Sequence, residues 1–136
     1  MKAAPLLFRL TGIVVLIQLL LGGLLTFAFI SALPHIVVGF AVFILAIGTM
    51  VVSLMAKPSF RPMKAVSVAM VVLILIQIIL GFVALGSGGP AIGWLHFANA
   101  MAIYGAAISG TFTAMRWNHM AGAAAEEPQV TKERET

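Results

Sequence analysis

"LLFRLTGIVVLIQLLLGGLLTFAFI", residues 6–30, runs to bilayer length with one charge, Arg9, near its start. A helix rises about 1.5 Å per residue, so about 20 apolar residues cross a hydrocarbon core of about 30 Å. The stretch is therefore read as a membrane span. Working outward, three further apolar runs of similar length follow at Leu33–Ala56, Val66–Gly86 and Ala91–Met115. Across 136 residues the chain is 62% hydrophobic and 9% charged, with a mean hydropathy of +1.13. One soluble core of this size cannot hide so much apolar surface. The expectation is an all-α integral membrane protein, a four-helix bundle over residues 1–120, followed by a polar tail over 121–136. A signal peptide needs an apolar core of only about 7–15 residues and a small-residue cleavage site, so the first helix is expected to stay in the mature protein.

Lys and Arg set the orientation. Lys2 and Arg9 open span one, Lys57, Arg61 and Lys64 lie between spans two and three, and Arg116, Lys132 and Arg134 follow span four. The links around Ser31–Pro34 and Ser87–Gly93 carry none. By the positive-inside rule both termini and the Lys57–Lys64 loop are expected in the cytoplasm of a multi-pass protein of the cell membrane. The net charge of +4 thus reports topology rather than nucleic-acid binding, because no readout motif accompanies the basic residues. Glu126, Glu127, Glu133 and Glu135 all fall in the tail, which reads as mobile or weakly helical. Without Asp or Glu in the spans, a carboxylate proton relay or cation transporter is disfavoured. Phosphate loops, nucleophile elbows and zinc-protease pairs are missing too.

Within the opening stretch, "LIQLLLG" (Leu16–Gly22) returns as "LIQIILG" (Leu75–Gly81). The offset carries Gln18 onto Gln77 and Gly22 onto Gly81, and a histidine follows each: His35 and His96. Four residues after each histidine stands a small residue, Gly39 or Ala100. We read the chain as two pseudo-symmetric helix pairs of the same topology. His35 and His96 then open the second and fourth spans at similar depth near the outer leaflet, where they can face one another. Gln18, about 18 Å below the outer end of a helix reaching Ile30, is expected well beneath them, bonding across helices.

Taken singly, His35 after Pro34 reads as a headgroup-level residue and His96 beside Trp94 as part of an interfacial aromatic belt; taken as a symmetric pair they read as ligands, since an ionisable side chain in a membrane faces a protein interior, water or a metal. Zinc wants three or four protein ligands, and the chain has no cysteine. Haem needs only one or two, so His35 and His96 suit its iron as an axial pair. Gly22, Gly23, Gly39, Gly81, Ala98, Ala100 and Ala102 can make room for the macrocycle or simply allow close helix packing. Gln18, Gln77 and Asn99, one helical step from His96, complete the candidate binding set; no catalytic residue is assigned. His119 reads as interfacial, and the eight methionines as packing residues.

The motif "LIQ-x-x-LG" in an odd-numbered helix, then an outer link and "PHIVVGF" or "WLHFANA" opening the next helix, resembles haem A synthase. That membrane family oxidises a methyl group of haem O to a formyl group. Its members usually have two four-helix halves, each with one histidine on its second helix and one on its fourth. His35 and His96 match those positions across Leu6–Met115, which implies a compact, half-length relative. The resemblance implies haem, b-type or haem O/A, a terminal oxidase or haem-biosynthesis protein as partner, and a homodimer where two sites are required. Many members carry an acid and a cysteine pair in the first outer loop, where this chain has "SALP". Two alternatives stand beside that reading: a small b-type cytochrome passing electrons from quinol to a partner complex, and a cofactor-free accessory subunit.

Overall fold

The computed structural model describes residues 3–87 and 89–134, with side chains through Ala123 apart from Ser87. The topology marker Lys2, Gly88 of the second link and Glu135 lie outside the described residues. Four helices make up the chain: α1 (Ala3–Thr26), α2 (Ala32–Met55), α3 (Arg61–Ser87) and α4 (Pro90–Arg134). All four are long and apolar enough to cross a membrane. The polar stretch from Ala121 continues the backbone of α4 as far as Arg134.

Each helix packs on two others, α1 on α2 and α4, and α3 on α2 and α4. The result is a four-sided bundle whose α1–α2 and α3–α4 links share one end. Its seams are narrow. Ala4, Ala46, Ala107 and Ala114 are buried, and a Cβ on Gly12 would lie 3.5 Å from that of Ala107. With lipid tails as apolar as leucine, helices associate through such close backbone approach and a few polar contacts. Thr11 and Thr49 meet hydroxyl to hydroxyl at 3.4 Å while each donates to its own helix, to Leu7 O at 2.9 Å and Leu45 O at 2.7 Å. Trp117 Nε1 donates to Pro58 O at 2.8 Å, tying α4 to the α2–α3 link. Large apolar side chains face outward on every helix, among them Leu20 at 70% exposure, Ile44 at 69%, Ile79 at 63% and Phe112 at 64%. Water would not tolerate that surface, whereas a bilayer covers it.

The end of α1 departs from expectation in a way that matters for the site. The helix stops at Thr26, short of Ile30, because the chain folds into a Schellman closure. Ala28 N donates to Leu25 O at 3.0 Å and Phe29 N to Leu24 O at 2.9 Å, with Ala28 in the left-handed region at φ 59°. Gln18 therefore stands about 12 Å below the end of its helix, near the first turn of α2, instead of far beneath it.

Candidate functional site

Near the link-bearing end, the four helices enclose a cavity of about 360 Å³, a size within the range of about 300–1,000 Å³ typical of ligand sites. Six of the seven candidate residues line it: Gln18, Gly22, His35, Gln77, Gly81 and His96. Asn99 stands behind, donating Nδ2 to Gln77 Oε1 at 2.7 Å and to Leu73 O at 2.9 Å. Gly23, Gly39 and Ala100 also line the cavity, but Ala98 and Ala102 turn outward.

The two imidazoles meet across the bundle's diagonal, from α2 and from α4. Their ring centres lie 6.0 Å apart and the planes are tilted by 54°. Each ring rests on a glycine of the preceding helix. A Cβ on Gly22 would lie 3.2 Å from His35 Cε1 and 3.6 Å from Nδ1; on Gly81 it would lie 3.1 Å from His96 Cε1 and 3.6 Å from Nδ1. The Cε1–Nδ1 edge thus occupies the space a methyl group would fill.

This contact explains the spacing of the sequence motif. In a helix the carbonyl of residue i points toward residue i+4, so a glycine four positions on leaves that oxygen open from the side. The His35 ring lies within hydrogen-bonding reach of the Gln18 main chain, and the His96 ring within reach of the Gln77 main chain. Neither contact is well aligned, since both Nδ1 atoms are buried without a partner of good geometry. A proton on Nδ1 nevertheless matches a carbonyl acceptor, which leaves the Nε2 lone pair for another partner.

For His35 that partner is already present, because Gln18 Nε2 lies 3.1 Å from His35 Nε2 and donates to His35 O at 2.8 Å. The expectation that Gln18 sits beneath the histidine level is overturned. The Schellman closure shortened α1, and the carboxamide bonds across helices to the histidine itself. A pair of side chains seventeen apart in sequence carries no periodic signal that could have revealed this contact.

Among the described residues no three of His, Cys, Asp and Glu come together. The polar side chains lining the cavity are the two imidazoles, the Gln18 and Gln77 carboxamides and Thr26, whose hydroxyl donates to Gly22 O at 2.8 Å; the rest of the wall is apolar. Comparison of the chain with family models, curated proteins and solved structures finds no match.

Proposed function

We propose that this chain is a haem-binding membrane protein in which His35 and His96 hold the iron. The observation that carries the reading is the facing of the two rings, 6.0 Å between centres, across a glycine-lined cavity. The separation is one at which both imidazoles would reach a single ion, each through a nitrogen about 2 Å from it. The donor chemistry fits as well: a porphyrin would supply four nitrogens, His35 and His96 would be enough protein ligands beside them, and no carboxylate or thiolate lines the cavity. Gly22 and Gly81 let the rings lie close to the main chains of Gln18 and Gln77, the Gln18 carboxamide meets His35 Nε2, and Asn99 holds Gln77. Such outer partners set which ring nitrogen is free to bind.

The same reading makes the fold two pseudo-symmetric helix pairs with both termini in the cytoplasm of the cell membrane, as the repeat and the basic residues indicate. By its resemblance to one half of haem A synthase, the chain would act in haem O to haem A oxidation or in assembling a terminal oxidase, as a homodimer where two sites are needed. Bound haem would supply the redox chemistry, while His35 and His96 would set its ligation. A second reading, a small b-type cytochrome fed by quinol, is favoured by the pairing of histidines itself, since iron held from both sides has no open position for a substrate.

A reduced-minus-oxidised spectrum of the purified protein tests haem binding. His35→Ala and His96→Ala are each expected to weaken or abolish it, and His119→Ala, exposed on α4, to leave it intact. Mass analysis of extracted haem for a formylated product separates the enzyme from the cytochrome. A wild-type protein with no haem spectrum after reconstitution leaves a cofactor-free accessory subunit.

A further inference from the structure

The two sides of the cavity are not alike. Gln18 caps His35 Nε2 with its carboxamide, whereas Gln77 turns its Oε1 to Asn99 and no hydrogen bond joins its carboxamide to the His96 ring. Two sequence differences account for this. Three positions after the histidine stands Val38 on one side and Asn99 on the other; four positions after stand Gly39 and Ala100. A Cβ on Gly39 would lie 3.1 Å from Gln18 Nε2, so the capping position depends on the absent methyl. Ala100 carries that methyl. Asn99 meanwhile offers Gln77 a donor that Val38 cannot offer Gln18.

The cap is fixed in orientation but incompletely held. His35 O can only accept, which points the amide nitrogen of Gln18 at the ring. Gln18 Oε1, by contrast, is buried with no partner. With its acceptor already unmet, rotating the amide away costs only the two bonds from Nε2, each of modest net worth.

We propose that Gln18 is a displaceable cap on His35 Nε2, so that His96 is the standing iron ligand and His35 the exchangeable one. The position His35 leaves when Gln18 reclaims it is open to a small neutral ligand of ferrous iron, of which carbon monoxide is the probe. The iron part of this proposal rests on the haem reading above; the cap does not.

The test has two arms. The first needs no haem: NMR of isotope-labelled histidine in the detergent-solubilised protein reads the hydrogen-bonded state of each ring nitrogen. Gln18→Leu and Gly39→Ala should each move the His35 Nε2 resonance toward that of an unbonded acceptor, and Gln77→Leu should leave it in place. The second arm titrates the haem-loaded ferrous protein with carbon monoxide. Removing the cap leaves His35 free to stay on the iron, so either variant should lower carbon monoxide affinity by about tenfold, the upper range for one neutral hydrogen bond. A His35 Nε2 resonance unmoved in both variants overturns the cap. Unchanged carbon monoxide affinity in both overturns ligand exchange. A wild type that takes up no haem overturns the haem reading and ligand exchange together, and the NMR arm still decides the cap.

Discussion

Replacing Gly81 by alanine places a methyl group 3.1 Å from His96 Cε1. Carbon atoms settle at about 3.5–4.0 Å, so the ring must retreat by roughly half an ångström. The alternative, moving the helix, is resisted because α3 packs on both α2 and α4. Retreat carries the Cε1–Nδ1 edge away from the α3 backbone at Gly81. Overpacking of this kind costs about 1–3 kcal/mol, and a ligand displaced by about 0.5 Å leaves its productive geometry. If the cost falls on the ligated state, haem affinity drops by about 5- to 150-fold. Gly22→Ala should act on His35 in the same way, its Cβ meeting Cε1 at 3.2 Å. The assay is a spectrophotometric haem titration of protein in detergent, with circular dichroism confirming that each variant is folded. Gly23→Ala is the control, because it lines the same cavity yet its Cβ would meet nothing within 4 Å. Wild-type affinity and line shape in both Gly22→Ala and Gly81→Ala would refute the glycine notch. Equal losses in Gly23→Ala would show that lost cavity space, not ring contact, is responsible.

Other expectations concern the scaffold. Gly110→Ala drives a methyl into the ring of Phe8, which is fully buried at the α1–α4 seam, and should lower thermal stability by about 1–3 kcal/mol or more, read by a melting curve in detergent. Ala28→Gly should raise the melting temperature by the equivalent of up to about 1 kcal/mol, since Ala28 adopts a left-handed φ of 59° that glycine takes without steric cost. Trp117→Phe removes the donor to Pro58 O and should destabilise the protein by about 1–2 kcal/mol; an unchanged melt would mean that this bond does not tether α4.

The fold class was legible because its cause is local. Each span declares itself by length and apolar content, and no packing detail is needed to see that residues 6–30 or 66–86 belong in lipid. The histidine pairing was also legible, since His35 and His96 open two helices that run the same way from the same end. What the residues could not disclose was depth. Estimating Gln18 from a helix reaching Ile30 placed it too far from the histidines, because Ala28 gives no glycine signal for the closure that ends α1.

Sequence alone determined the solvent of this protein and the number of its helices, since transfer into lipid is governed by what each segment contains. Tertiary structure alone decided that Gln18 bonds to one imidazole while Gln77 is held by Asn99. That choice turns on a single methyl, absent at Gly39 and present at Ala100, and a methyl matters only where two helices bring it within contact distance of a carboxamide.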